Sequence, residues 1–317
     1  MRRYVLRRLA QAVGVLWAAY TVSFLVLDYL PGDPVSAMAG GGLNSSPVDP
    51  AELAALRAEY GFDKPILMQY FDYLGKALRG DFGDSVATGR SVTDTIATAL
   101  PPTMQLTGAA VVLAVLFGGG LALSATYTTR RWLRQVLLSL PPLAISIPSF
   151  WAGLMLVQLL SFRVRLFPAF GNGGLPGLVL PAVTLAIPTG ALIAQVLAKS
   201  LLSTLDAPFV QTARAKGAGR LRVHLRHALR SASLPALTIV GLLVGQLLAS
   251  SVVIETVFSR NGLGRVMAGA VSVQDIPLVQ GVVVFGAFVF VVVNLVIDLI
   301  YPLLDPRIVV AGRRSSA

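Results

Sequence analysis

The chain is 317 residues long, 55% hydrophobic and only 13% charged, with a mean hydropathy of +0.73; a soluble domain carries about 25% charged residues, so that class is excluded. There is no cysteine and there are two histidines, which removes disulfides, iron–sulfur clusters and thiol catalysis and leaves little for a transition-metal site. The net charge of +11 would suggest nucleic acid in a soluble protein, but in a membrane protein it reflects Lys and Arg crowding the cytoplasmic loops.

"MRRYVLRR" opens the chain and an apolar run, Leu9–Leu30, follows. With "AMAG" at Ala37–Gly40 it imitates a signal peptide, but the run exceeds the 7–15 residues of a signal core and reads as a retained transmembrane helix. Residues 31–100 form the sizeable polar piece. Within it "PAELAALRAEYGF" and "PILMQYFDYLGKALRGDFG" predict short amphipathic helices starting near Pro50 and Pro65 and ended by glycine. About 70 residues is marginal for an independent core, so this piece is expected to lie against the membrane domain. Five more apolar segments follow: Gln105–Tyr127, Val136–Phe162, Leu178–Leu202, Leu234–Val257 and Leu278–Leu304. Each is long enough to cross a bilayer, and barrel strands are too short to account for them. The expectation is an all-α polytopic membrane protein with six transmembrane helices.

Six crossings put both ends on one side. If that side is the cytoplasm, most of the 26 Lys and Arg fall inside, and the rest are diluted over outer loops beside most of the acids. Both termini are therefore expected in the cytoplasm.

Catalytic signals are missing. No G-x-x-x-x-G-K-[ST] or H-E-x-x-H occurs, so phosphate cannot be cradled by a Walker loop, and any ATP used must be hydrolysed by another polypeptide. Asp28, Glu255 and Asp298 lie near the ends of apolar segments, where hydration or pairing explains them; Glu255 is the best candidate for a substrate pathway. No acid sits at mid-membrane, which argues against an ion-coupled secondary transporter.

The stretch "TARAKGAGRLRVHLRHALRSASLP", Thr212–Pro235, carries six basic residues, no acid and both histidines. Gly217 and Gly219 break it into helix–turn–helix, with Asp206 a candidate N-cap for the first piece. Leu221, Leu225 and Leu229 recur every four residues, as do Arg222, Arg226 and Arg230, giving adjacent apolar and basic stripes. Nucleic-acid binding lacks interleaved aromatics. A metal on His224 and His227 would be repelled by the flanking arginines. A lipid surface and a cytoplasmic protein partner remain, and the glycine corner favours the partner, with both histidines as polar surface residues.

These residues resemble the cytoplasmic coupling loop of ABC-importer permeases, in the oligopeptide/dipeptide (and nickel) branch. "LPGDP" at Leu30–Pro34, "GDFGDS" at Gly80–Ser85, "IPSFW" at Ile147–Trp151, "ETVFSRNGLGR" at Glu255–Arg265 and "NLVIDLIYPLLDPRI" at Asn294–Ile308 are similar to that branch in the same order. The family's E-A-A…G motif aligns with Gln211, Thr212 and Ala213 and with Gly217; its glutamate is absent, Arg230 stands where proline is general, and Pro235 is the later proline.

The resemblance implies an ABC type I importer fold divided into helix 1–30, extracytoplasmic region 31–100, transmembrane domain 101–305 with coupling loop 204–233, and tail 306–317. It implies a coupling site of Gln211, Thr212, Ala213, Arg214, Ala215, Lys216, Gly217, Ala218, Arg222, Arg226 and Pro235. The leucine stripe would pack on the membrane domain and the arginines would face lipid phosphates or ATPase acids. The implied partners are a second permease subunit, two P-loop ATPases that hydrolyse ATP with Mg, an extracytoplasmic substrate-binding lipoprotein and membrane lipids, without nucleic acid. This chain would bind no cofactor or metal and catalyse nothing. The implied cargo is di- or oligopeptide, with nickel or another small cargo as the alternative, and the implied location is the bacterial inner membrane.

Overall fold

In a bilayer every backbone polar group must find an internal partner, and a chain this apolar meets that requirement by coiling into helices. The structure, a computed structural model, describes residues 2–28, 51, 54, 58 and 63–304. Among them the helices are α1 (Arg2–Asp28), α2 (Ile66–Ala77), α3 (Val92–Tyr127), α4 (Arg131–Ser146), α5 (Ser149–Arg163), α6 (Gly174–Leu205), α7 (Pro208–Ala215), α8 (Arg220–Val257), α9 (Leu263–Ser272) and α10 (Ile276–Leu304). The only β pairing among the described residues is an isolated bridge, Asp84 to Ser91.

Five helices, α1, α3, α6, α8 and α10, are long and apolar enough to cross; α4 and α5 make a sixth span only as a pair, bent by 101°. The continuous crossing expected over Val136–Phe162 is thus corrected. Ile147 is extended at φ −90°, ψ 123°, as a residue before proline prefers, and Pro148 starts a new helix. Helix α3 also begins earlier than the apolar run at Gln105. Asp94 lies in its first turn, where the helix dipole favours an acid, and the helix runs on through Pro101 and Pro102. The amphipathic helix expected near Pro50 lies mostly outside the described residues, as do the side chains of Asp28 and Asp298. The helix expected after Pro65 is α2. It closes with Gly80 at φ +78°, whose N–H reaches the Ala77 carbonyl at 3.0 Å.

The described residues fall into two compact units, Met1–Pro102 with Asn261–Val292 and Thr103–Arg260 with Val293–Ala317. In the first, Val92, Ile96, Ala270, Leu278, Val279 and Val282 form a buried cluster with Phe82 and Met267 against it. Gly281 is required there: a Cβ would meet Val92 Cγ1 at 2.5 Å. Asp275 caps α10, accepting from Leu278 N–H at 3.2 Å. The same buried carboxylate accepts from Ser85 Oγ at 2.5 Å and from the Val86 and Ala87 N–H groups. One acid therefore fixes both a helix start and the 85–88 turn. Tyr70 joins α2 to α1, accepting through its carbonyl from Tyr20 Oη at 3.0 Å and sharing a 2.9 Å hydrogen bond with Thr21 Oγ1.

In the second unit α6 is the central helix, buried over most of its length. Lipid tails are as apolar as leucine, so helices associate there through close van der Waals fit between small residues. The crossing of α3 and α6 shows this. A Cβ on Gly118 would collide with the Gly190 carbonyl, and one on Gly190 would lie 3.1 Å from the Ala114 carbonyl. Pro181, inside α6, cannot donate to the carbonyl of Gly177 four residues back. That carbonyl instead accepts from Arg260 Nη1 at 3.0 Å.

Candidate functional site

The basic stretch begins where α6 ends. Asp206, expected to cap the next helix, instead closes α6 at φ −91°, ψ −4°. Ala207 is the N-cap of α7 without any side-chain bond, and Pro208 takes the first helical position. Proline's φ is already helical and its missing N–H is one that would have no partner there, so no side-chain cap is needed. Val210 is fully buried and fastens the helix, while Gln211, Thr212, Arg214, Ala215, Lys216 and Gly217 are exposed and Ala213 and Ala218 half-buried.

Helix α7 ends in a Schellman motif. Ala218 N–H bonds the Ala213 carbonyl at 3.1 Å and Gly217 N–H the Arg214 carbonyl at 2.9 Å. This pairing places its C′ residue in the left-handed region, and Gly217 is there at φ +81°. Gly219, extended, then caps the start of α8. The glycine corner read from the sequence is therefore a defined turn, with the motif residues 211–217 along its exposed side.

The start of α8 departs from expectation. Val223–Ala228 is π-helical, with i→i+5 bonding that widens the turn. The buried positions are Val223, His224, Ala228, Ala232 and Ala236. Leu221 and Leu225 are 58% and 46% exposed, so of the expected leucine stripe only Leu229 packs, against the cluster of Leu201, Ala228 and Ala232. Arg222, Arg226 and Arg230 are exposed, and so is Pro235, inside α8.

His224 is also corrected. Only 3% of it is exposed, and its Nε2 lies 2.9 Å from Thr126 Oγ1. The Thr126 hydroxyl donates to the Ala122 carbonyl at 2.8 Å, which leaves its oxygen as acceptor and makes His224 Nε2–H the donor. The imidazole stands edge-on to Tyr127, with ring centroids 5.5 Å apart. The Arg220 guanidinium lies 4.6 Å over the same Tyr127 ring and donates to the Tyr127 carbonyl. That carbonyl ends α3, where the helix dipole favours a cation. Arg220, His224, Thr126 and Tyr127 thus lock the foot of α8 to the end of α3.

Glu255 lies at the other end of α8. It exposes none of its surface and accepts from Thr103 Oγ1 at 2.6 Å. Arg260 is buried close by; burial lowers the pKa of its guanidinium, and the Glu255 carboxylate acts in the opposite direction. With the bond from Gly171 N–H to the Phe258 carbonyl at 2.9 Å and the Arg260–Gly177 bond, these groups strap the end of α8 to the segment leading into α6. Arg260 lies inside "ETVFSRNGLGR" without being a candidate site residue, and Asp275 lies in no motif. The signals were Pro181, which frees a carbonyl, and Asp275 two residues before Pro277.

Apolar helices long enough to cross a membrane, with an exposed helix–turn–helix between two of them, define the class: a polytopic membrane protein. The chain belongs to the family described as "Binding-protein-dependent transport system inner membrane component", which matches residues 110–310, with the corresponding N-terminal region matching residues 1–107. It is 34% identical over 308 residues to the glutathione transport system permease protein GsiC of Salmonella choleraesuis (strain SC-B67), covering 97% of this chain and 99% of that one. It is 33% identical over the same length to the protein of that name in Escherichia coli (strain K12).

Among solved structures, an inward-facing MetNI methionine ABC transporter chain matches with TM-score 0.57 at 16% identity, over 66% of this chain and 96% of that one. A chain of an amino acid ABC transporter with histidines matches with TM-score 0.50 at 20% identity, over 68% and 94%. These establish the ABC type I importer fold. The chain is a multi-pass inner-membrane permease subunit of an ABC importer in the peptide/nickel branch and is not itself an enzyme; the ATPase activity lies in a separate subunit.

Proposed function

We propose that this chain forms half of the translocation pathway of an importer for short peptides, driven through the α7 turn by a separate ATPase. The observation that carries the cargo class is the 34% identity, across 97% of the chain, to a glutathione permease, glutathione being a tripeptide. The partners are a second permease subunit, two P-loop ATPases that hydrolyse ATP with Mg, and an extracytoplasmic substrate-binding lipoprotein. Both termini and the α7 turn lie in the cytoplasm, in accord with the basic residues concentrated on that side.

Residues 211–218 form the surface that enters a cleft of one ATPase, and Arg222 and Arg226 flank it. Support comes from the exposure of 211, 212 and 214–217 on a turn whose shape is fixed by Gly217 and by the lock between α8 and the end of α3. A displacement of α7 is passed to the start of α8, against which it packs, and from there to α3 through the His224–Thr126 and Arg220–Tyr127 contacts. Glu255, buried as it stands, acts through Thr103 and Arg260 and meets cargo only in a conformation that uncovers it.

The test is ATP-dependent uptake of labelled glutathione, dipeptides and longer peptides by the complex reconstituted in vesicles. Uptake that needs both ATP and the binding protein is expected. Uptake by this chain alone, driven by an ion gradient, contradicts the reading.

A further inference from the structure

Helix α2 presents three different faces. Tyr70, Tyr73 and Ala77 share one side at helical spacing, and this side is held on α1. The Tyr70 ring lies 5.3 Å from the Tyr20 ring and 5.4 Å from the Phe24 ring between centroids, while Tyr73 and Ala77 line a cavity with Tyr20. Gln69, Asp72 and Lys76 form a polar row, where Asp72 accepts from Lys64 Nζ at 2.7 Å. Leu67, Phe71 and Leu78, the last just past the helix end, lie within about 40° of one another around the axis and about 150° from the polar row. They are 74%, 64% and 80% exposed. The apolar and polar rows thus stand on nearly opposite sides, with the attachment to α1 between them.

The depth at which α2 is attached decides what meets the apolar row. The stretch of α1 apolar enough to cross is Arg8–Val26, 19 residues. At 1.5 Å per residue it runs about 28 Å, the length of one hydrocarbon core of roughly 30 Å. Phe24, Thr21 and Tyr20 precede its far end, Val26, by two, five and six residues. Tyr70 therefore meets α1 about 3–9 Å inside that end. Side chains on a helix lean toward its N-terminus, so Tyr20 Oη, which donates to the Tyr70 carbonyl, lies no nearer the membrane edge than its own backbone. The α2 backbone is thus held level with the outer part of the acyl chains. Interfacial amphipathic helices sink their apolar faces to a similar depth, about 5–10 Å. A partner confined to the aqueous side does not reach this level, whereas lipid does.

We propose that α2 is an interfacial anchor, with Leu67, Phe71 and Leu78 among the acyl chains of the leaflet on the α2 side and Asp72 and Lys76 facing headgroups and water. The anchor gives the segment after Pro65 a lipid contact of its own beside its attachment to α1. It rests on α1 crossing the membrane and not on the transport reading.

The chain has no cysteine, so Leu67→Cys, Phe71→Cys, Leu78→Cys and Lys76→Cys each introduce one attachment point for a nitroxide at an exposed position. The labelled chains are studied by electron paramagnetic resonance in the importer complex reconstituted in phosphatidylcholine vesicles. Power saturation by oxygen, which partitions into lipid, is compared with saturation by a water-soluble nickel chelate. Labels at 67, 71 and 78 are expected to respond to oxygen and not to nickel, at depths of about 5–10 Å, and the label at 76 to respond to nickel. Nickel access at 67, 71 and 78 would put the row in water, and poor access of both agents would mean that protein covers it; either result overturns the proposal. So does a label at 76 as shielded from nickel as the other three, because α2 would then have no water-facing side.

Discussion

At the residue scale, Gly217 and His224 carry the most weight. Gly217 has open space around a would-be Cβ yet sits at φ +81°, so a substitution there is limited by backbone strain rather than by clash. Asparagine tolerates that region. Gly217→Asn is therefore expected to keep uptake, while Gly217→Val or Gly217→Pro abolishes it with normal membrane insertion; normal uptake by the proline variant contradicts the coupling assignment. His224→Ala and Thr126→Val each remove one side of a buried hydrogen bond, at about 1–3 kcal/mol apiece. Because they share that bond, the double variant is expected to lose about 1 kcal/mol less than the sum, measured as a double-mutant cycle on thermal unfolding in detergent. Additive losses would place His224 outside the lock. Glu255→Gln leaves Arg260 buried without its acid, at a cost of about 3–5 kcal/mol. Less protein in the membrane is the expected result. Full expression with lost uptake would instead make Glu255 a pathway residue.

At the element scale, most helices were legible and the reasons for the exceptions are specific. Apolar length marked each crossing, but periodicity assumed α-geometry throughout. The π-helical Val223–Ala228 segment adds a residue to one turn and shifts the buried face from Leu221 and Leu225 to Val223 and Ala228. His224 stands in line with Ala228, Ala232 and Ala236 at intervals of four, a small-residue row that the more conspicuous leucine and arginine repeats mask. Pro148 was visible as a possible kink, yet a proline inside a membrane run leaves open whether the helix bends or breaks; the extended Ile147 before it decides for a break. Pro208 made the Asp206 cap unnecessary. The Gly118–Gly190 contact was only hinted at by small residues, because a sequence does not say which glycines face each other. Gly118→Val, which places bulk against the Gly190 backbone, is expected to abolish accumulation of the folded protein, whereas Gly119→Val, with nothing within 4 Å, is expected to accumulate normally. Equal accumulation of the two would refute the close crossing.

At the scale of the whole molecule, the family and the all-helical class were readable from motif order, because "TARAKG", "IPSFW" and "ETVFSRNGLGR" occur together in one chain. The ties that hold those motifs in place were not, since they join residues far apart: Thr126 with His224, Gly177 with Arg260, and Ser85 with Asp275. Two of these contacts have one half in a motif, Arg260 in "ETVFSRNGLGR" and Ser85 in "GDFGDS", and the other half looks ordinary in the sequence. The central claim is that the α7 turn faces the cytoplasm and engages the ATPase. The chain is free of cysteine, so Gln211→Cys introduces a single reactive thiol on the exposed side of that turn. A membrane-impermeant maleimide should label it in inside-out vesicles but not in right-side-out ones, and bound ATPase subunits should protect it and yield a cross-link to one of them. Labelling from outside, or labelling indifferent to the ATPase, would contradict the account.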